Sequence, residues 1–434
     1  MEETAGPPPF SAEWARALQL QLESSEEFRR AAAGWEGRLV LETVPDPIRS
    51  DGVPRAVALY LDDGACREAR AAAAADRDSA AFVIAGKAEV WAQLVGGKGS
   101  PLTALLRGQL KLVKGSVAGL MPFASAAEQL VRAAGRISAA TAAATPAPPA
   151  EETAAPTFRS MLPDGIDFES LPMQLWQKAK QFGIWDPRAI DYTTDRQDWL
   201  RLDELERDVL LRLAALFGAG EESVTRELLP LVRVIAREGR LEEEMFLAAF
   251  LWEEAKHVEA FRIFFDEVAA DNSDLSRFHT PSYRRIFYDE LPVAMARLDT
   301  DSSPVAVARA SATYNMVVEG VLAETGYHVY HSILERRGIM PGMQQVVAHL
   351  QRDESRHLAY GVHLLSRLVA EHGEPVWRAI EGRMDELLEP AVAIIREVFD
   401  EYEVPPFGLE SAVFVDFALE QFGKRLERIE RLLE

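Results

Sequence analysis

The chain reads as two domains of different class, a small N-terminal α+β domain and a larger C-terminal all-α helix bundle. Three observations predict this. A low-complexity run of alanine, threonine and proline divides the chain at 138–157. Short β-like runs stand out only before it, whereas nearly every segment after Leu171 carries the apolar period of a helix. Charge divides at the same place. Residues 1–150 hold 16 basic and 17 acidic side chains, so of the whole-chain −22 the remainder carries −21.

A length of 434 residues is too great for one typical core. A neutral first part and a strongly acidic second part argue against nucleic acid or an anionic membrane as partner. Cys66 is the only cysteine, which excludes an internal disulfide and a thiolate metal cluster. Met1-Glu2-Glu3 has no apolar run behind it, and no stretch reaches the length of a transmembrane helix. Stable membrane insertion is therefore not expected, and a reducing cytoplasm is the expected location.

In order, residues 1–9 end in Pro7-Pro8-Pro9 and are expected to fray. Residues 11–33 read as one amphipathic helix. β-like runs follow at Arg38–Thr43, Ala56–Leu61, Ala81–Ile84 and Gln109–Val113, with helical segments at Ala88–Leu94 and Ser125–Ala134. The α+β domain is set at 10–137. It contains no histidine, so a catalytic metal site there is not expected. The linker has nothing to bury and has prolines that stop a helix. In the third part, 158–434, helices are expected near 172–182, 197–217, 221–238, 241–270, 281–298, 304–336, 342–372, 375–400 and 409–433. Gly239, Gly338 and Gly373 punctuate C-termini.

Two motifs organise the bundle, Glu253-Glu254-Ala255-Lys256-His257 and, 100 positions later, Asp353-Glu354-Ser355-Arg356-His357. Each sets a carboxylate and an imidazole three residues apart, on one helix face, where both can hold one metal ion. Each has a further glutamate on the preceding helix, Glu221 or Glu222 in the first half and Glu319 in the second. Glu221 to Glu254 is 33 positions and Glu319 to Glu354 is 35, so an antiparallel helix pair returns each glutamate level with its motif. Helical periodicity alone does not choose between Glu221 and Glu222. A glutamate from each of two helices plus Glu-x-x-His from each of two others is the pattern of dimetal carboxylate bundles. Four carboxylates balance two divalent ions, two neutral imidazoles complete the set, and oxygen and nitrogen donors without sulfur suit iron or manganese. Glu253, Glu259, Asp353 and Glu222 are assigned to solvated faces or to contacts behind the ligands. His328, His331, His349 and His363 are given no role.

On these residues the C-terminal part resembles the ribonucleotide-reductase-small-subunit-like ligand-binding oxidases. The resemblance runs from about Phe158 to the end and is densest in Gly220-Glu221-Glu222-Ser223-Val224-Thr225 and Phe250-Leu251-Trp252-Glu253-Glu254-Ala255-Lys256-His257. It implies a ferritin-like fold and favours Glu221 as first ligand. It also implies a mixed centre, manganese on the Glu221, Glu254, His257 side and iron on the Glu319, Glu354, His357 side, with a di-iron form as the variant. In this family a valine three residues after the first ligand, here Val224, and a tyrosine five before the fourth, here Tyr314, become joined by an ether bond when the reduced site meets dioxygen. Tyr327 matches another tyrosine near the family's metals. The resemblance further implies a long-chain fatty-acid-like ligand, for which Met316, Val317, Val318, Val321 and Leu322 offer apolar surroundings. A homodimer is expected of the bundle class.

The N-terminal part resembles the sterol-carrier-protein lipid-binding domains, through Ala81-Phe82-Val83-Ile84-Ala85-Gly86-Lys87-Ala88-Glu89-Val90-Trp91 and Leu105-Leu106-Arg107-Gly108-Gln109-Leu110-Lys111-Leu112-Val113-Lys114-Gly115. That resemblance implies a small sheet under helices around an apolar tunnel. The expected function is thus an oxygen-activating dimetal oxidase with a fused lipid-binding module. The alternatives are a radical-generating ribonucleotide reductase small subunit, or a lipid carrier or metal store without turnover. The first alternative is disfavoured because the run Gln421–Glu434 carries no tyrosine.

Overall fold

The computed structural model describes residues 8–44, 55–97, 99–138 and 165–430. It separates into two compact units, Met1–Ala150 and Glu151–Glu434. The expected linker falls, but for Ser138, outside the described residues, as do the expected fraying of residues 1–7 and the last residues of the 409–433 helix.

The first unit is built on one sheet of five strands, β1 (Gly37–Val44), β2 (Ala56–Asp62), β3 (Ala65–Ala71), β4 (Phe82–Lys87) and β5 (Leu110–Lys114), in the order β3-β2-β1-β4-β5. β1 pairs antiparallel with β2 and parallel with β4. Alternation sorts the side chains. Leu39, Leu41, Val57, Leu59 and Ile84 join the main core with helices Ala12–Glu23 and Ala124–Ser138, whereas Val40, Ala58 and Val83 form a small cluster on the other face. Four strands lie close to the expected runs. β3 was not expected, because its sequence Ala-Cys-Arg-Glu-Ala-Arg-Ala is charged and poor in β-branched residues. As an edge strand it needs only one apolar face, and Cys66 and Ala69 supply it while Arg67 and Glu68 meet solvent. The expected single helix 11–33 is two, Ala12–Glu23 and Glu26–Ala31. Ser25 restarts the helix by accepting from the Phe28 N–H at 3.1 Å. Trp35, Leu41, Ile84, Trp91, Leu102 and Leu130 are among the side chains lining an apolar cavity of about 490 Å³, counting its open mouth.

The second unit is all-α, with helices joined by short loops and no strand among its described residues. Its principal helices are α1 (Leu171–Phe182), α2 (Glu204–Glu227), α3 (Leu241–Ile263), α4 (Pro304–Ser311, Ala312–Ala323 and Glu324–Arg337 in succession), α5 (Pro341–His372), α6 (Glu374–Phe399) and α7 (Ser411–Glu430). α3 packs on α1, α2 and α5, and α4 packs on α5, α6 and α7. The ends follow the expected chemistry. Asp203 and Glu206 form a reciprocal cap at the start of α2, and Asp195 accepts from the Gly342 and Met343 N–H groups at the start of α5. Gly239, Gly338 and Gly373 all take positive φ just past helix ends.

Several features depart from the expected helices. The 197–217 segment breaks at Leu202-Asp203, where Asp203 caps a new helix, and the 221–238 segment divides at Leu228, ahead of Pro230. The break at Gly218-Ala219-Gly220 is absent and α2 runs straight through it. Gly218 serves close packing, since a Cβ there would lie 3.1 Å from the Phe265 ring, whereas one at Gly220 would make ordinary contact, 3.5 Å from Phe287. The middle of α4, Ala312–Ala323, is π-helical. Such winding bonds each N–H one residue further back than an α-helix does, and it clusters at functional sites.

Candidate metal centre

The six expected donors come from four helices: Glu221 from α2, Glu254 and His257 from α3, Glu319 from α4, and Glu354 and His357 from α5. All are buried. They form two overlapping sets, Glu221, Glu254, His257, Glu354 and Glu254, Glu319, Glu354, His357, in each of which the ligand atoms lie within 4.8 Å of one another. Both imidazoles turn Nδ1 inward. His257 Nδ1 lies 3.3 Å from Glu221 Oε2, 3.7 Å from Glu254 Oε2 and 3.6 Å from Glu354 Oε1. His357 Nδ1 lies 3.0 Å from Glu254 Oε1, 3.5 Å from Glu354 Oε2 and 3.9 Å from Glu319 Oε1. Glu254 and Glu354 therefore present one oxygen to each side, the posture of bridging carboxylates. The register question at Glu221-Glu222 has a plain geometric answer: Glu221 faces the cluster, and Glu222 is exposed and paired with Arg226.

The outer side of the cluster is crossed. His257 Nε2 meets Asp353 Oδ2 at 3.3 Å, and His357 Nε2 meets Glu253 Oε2 at 2.9 Å, so the acidic residue opening each motif holds the imidazole closing the other. Arg356 Nη2 ties the two carboxylates together, donating to Glu253 Oε1 at 2.6 Å and to Asp353 Oδ1. Asp353 Oδ2 also accepts from Lys256 Nζ at 3.2 Å and from Trp185 Nε1 at 2.9 Å. Lys256 in turn lies over the rings of Trp185 and Trp252. Glu253 and Asp353 are fully buried, which rules out a solvated face for either. Glu259 is partly exposed and accepts from Arg188. Contacts of this kind fix the tautomer and orientation of a ligating imidazole. Their signal in the sequence is the shared frame of the motifs, an acid before the glutamate and a base before the histidine. Asn315, likewise unassigned by the sequence, donates to Glu319 Oε2 at 3.0 Å.

Electrostatics mark the cluster as a cation site. Burial pushes Glu221 up to about 8, and Glu319 and Glu354 also rise, by burial first and then by the neighbouring carboxylates. Burial acts against charge on Glu254 as well, yet the two imidazoles beside it hold its carboxyl low. Burial alone would lower His257 and His357, but the carboxylates around them outweigh it and raise both. Both oxygens of Glu254, Glu319 Oε1, Glu354 Oε2 and His357 Nδ1 are buried without a hydrogen-bond partner. Buried polar atoms are nearly always satisfied, and five such acceptors converging on one place fit a pair of divalent ions.

Beside the cluster lies a cavity of about 780 Å³, counting its open mouth. Among the described residues, Glu221, Glu319 and Glu354 are its only charged lining groups; the rest of its wall is almost wholly apolar, with Leu213, Phe217, Phe287, Leu322 and Ile394 among it. Of the side chains expected to form apolar surroundings here, Val318 and Leu322 line the cavity, whereas Met316, Val317 and Val321 do not and are buried in the core. The π-helical winding of α4 turns only part of that run toward the lumen. Val224 lines the cavity and Tyr314 is fully buried, its hydroxyl donating to the Val224 carbonyl oxygen at 3.1 Å. The Tyr327 hydroxyl is buried without a partner. Burial raises the Tyr327 phenol, and Glu354, Glu221 and Glu254 add to the rise. His328, His331, His349 and His363 stand outside both ligand sets.

Comparison with known proteins gives the following. The family described as ribonucleotide reductase, small chain, matches residues 172–430. A solved valine-to-leucine variant of an R2-like ligand-binding oxidase with anaerobically reconstituted Mn/Fe cofactor is 38% identical, over 61% of this chain and 95% of that one, with a TM-score of 0.58. A tyrosine-to-phenylalanine variant with aerobically reconstituted Mn/Fe cofactor gives the same figures. A glycine-to-leucine variant, anaerobically reconstituted with Mn/Fe, is 36% identical over 63% of this chain and 98% of that one, with a TM-score of 0.59.

Proposed function

We propose, from the premise that this chain belongs to the ribonucleotide reductase small-chain family, that its helical domain is an R2-like ligand-binding oxidase. In this reading Glu221, Glu254, His257, Glu319, Glu354 and His357 hold one manganese and one iron ion, which when bound supply the means to reduce dioxygen. The observation that carries the reading is the junction of cluster and cavity. An apolar space whose charged groups are three ligand carboxylates suits a molecule with a long hydrocarbon tail and a metal-seeking head, a long-chain fatty acid or its like.

The residues around the cluster divide the work. Asp353 and Glu253 keep the inward nitrogen of each imidazole free of a proton by accepting from the outward one. Asn315 fixes Glu319. The apolar wall excludes water, so that oxidation is confined to groups held in place. Tyr314 and Val224 are such groups. Joining the Tyr314 oxygen to the Val224 Cβ removes one hydrogen from each, with dioxygen as the acceptor. The hydrogen bond from Tyr314 to the Val224 carbonyl supports the pairing by keeping the phenol beside that residue. Tyr327, an unpartnered phenol near the carboxylates, is assigned to the same chemistry. The N-terminal domain, sterol-carrier-like in this reading, uses its apolar cavity to capture or present the lipid.

The test is anaerobic loading with manganese(II) and iron(II), then exposure to oxygen and peptide mass spectrometry. A Val224–Tyr314 linked peptide lacking two hydrogens is expected, and Tyr314→Phe abolishes it. Unlinked peptides from fully loaded protein would overturn the reading. The family match itself favours a second one, a radical-generating reductase subunit. Tyrosyl-radical formation coupled to nucleotide reduction with a large subunit, together with an unlinked pair, would establish that instead.

A further inference from the structure

We infer that Phe217 and Gly326 form a gauge in the cavity wall that sets how long an acyl chain the site accepts. The inference rests on the reading that the cavity holds a long-chain carboxylate. The cavity follows α2 from Val224 and Glu221 past Phe217 to Leu213, and follows α4 in the opposite sense from Glu319 past Gly326 to Val329. At the rise of an α-helix, Phe217 lies about 6 Å along the axis from Glu221 and Leu213 about 12 Å. Phe217 therefore stands midway between the carboxylate end and the far end.

Gly326 faces it. A Cβ at this position would lie 2.3 Å from both Cε2 and Cζ of the Phe217 ring. The ring thus occupies space that any other residue at 326 would claim. Gly326 sits within the α-helical run Glu324–Arg337 and does not take positive φ, so its backbone gives no reason for glycine. Glycine weakens a helix relative to alanine, which leaves packing as the reason. On its other sides the Phe217 ring is boxed by Phe261 at 5.4 Å, Tyr327 at 5.2 Å and Tyr330 at 5.6 Å between ring centroids. A methyl group at 326 displaces the ring away from α4, and with Phe261, Tyr327 and Tyr330 packed around it the ring is driven toward the lumen, where it narrows the route from the carboxylates to Leu213.

The test uses the full chain loaded with metal. A ladder of saturated straight-chain carboxylates displaces a fluorescent fatty acid, and lipid extracted from each purified variant is sized by mass spectrometry. Gly326→Ala is expected to shift the profile to shorter chains, the longest acids weakening about tenfold against the shortest, as when two methylenes lose their burial. Phe217→Ala is expected to shift it to longer chains, and the double variant to recover the long ones. The N-terminal cavity is common to every variant and cancels in the comparison. A wild type that binds the ladder, with Phe217→Ala leaving the length profile unchanged, overturns the gauge alone, and that variant decides the matter even where Gly326→Ala fails to fold. A wild type that binds none of the ladder and releases no acyl lipid removes the ligand reading, and the gauge with it.

Discussion

Replacing Arg356 with methionine isolates the link between the two halves of the metal centre. Arg356 is 4% exposed, and its Nη2 holds two carboxylates that are themselves fully buried. Without it Asp353 keeps His257, Lys256 and Trp185, whereas Glu253 is left with the His357 ring. That buried carboxylate keeps its desolvation cost with one contact fewer to offset it. Nothing then fixes the orientation of the group that accepts from the outer N–H of His357, and the ring is held less firmly toward the cluster. Removing one partner of a buried ion pair costs about 3–5 kcal/mol. At roughly 2–4 °C per kcal/mol for a domain of this size, Tm should fall by about 10 °C. Losing an outer contact of a metal-binding imidazole costs about 10–100-fold in affinity, and the effect here should be larger on the His357 side. The assays are thermal unfolding with and without metal, and chelator competition followed by elemental analysis. Arg356→Lys keeps the charge but not the planar fork, so partial recovery is expected. If Arg356→Met lowered Tm yet bound both ions with wild-type affinity, Arg356 would be a packing residue and the proposed link would fail.

Gly183→Ala strikes the same network from the α1 side. Its Cβ would meet Glu253 Oε1 at 2.0 Å and Arg356 Nη2 at 3.1 Å, so metal content should drop at the His357 side first, read by elemental analysis and electron paramagnetic resonance. For pH, burial raises Glu221 to about 8 from 4.5, so the metal-free folded state binds more protons than the unfolded state between those values. The stability this contributes is full below about pH 4.5 and is lost as pH rises through about 8. Metal-free protein should therefore lose stability by this contribution between about pH 6 and pH 8, while metal affinity should rise over the same span because binding displaces those protons. Calorimetry with and without metal checks both signs. In the N-terminal domain, Leu102→Trp fills part of the apolar cavity and should weaken binding of a fluorescent lipid several-fold while leaving dimetal loading untouched; equal binding in the variant would count against a lipid role for that cavity.

The donors were legible because metal chemistry restricts residue type and helical spacing restricts position. Glu254 with His257, and Glu354 with His357, announce themselves at three-residue intervals. Glu319 was legible as a lone charge in an apolar run. Glu253 and Asp353 were harder, since an acid on a helix is most often solvated, and only the matched frame of the two motifs marked them. Tyr314 shows the limit of periodicity. Five residues before Glu319, it would stand about 140° around an α-helix from it. The π-helical winding of Ala312–Ala323 brings residues five apart nearly over one another, and no local propensity signals that winding. β3 was missed for the reason that makes it a good edge, its charge. Gly218-Ala219-Gly220 falls between two expected helices because the ring that needs the space at Gly218, Phe265, lies far along the chain.

The two halves of the centre offer the same atoms, so discrimination between unlike ions has to come from what lies behind them. Each position receives one imidazole nitrogen, one glutamate of its own and an oxygen from each of Glu254 and Glu354. Behind His257, Asp353 accepts from Trp185, Lys256 and Arg356 besides the imidazole. Behind His357, Glu253 accepts from Arg356 and the imidazole. Each added donor draws charge from a carboxylate and weakens its pull on the imidazole N–H, so His357 should be the more basic ligand. Glu319 is also tethered by Asn315, while Glu221 lies on the side whose imidazole is held by the more heavily shared carboxylate. A near-symmetric repeat of donors thus becomes two unequal sets through Lys256, Trp185 and Asn315, residues outside both sets that a search for ligands alone passes over.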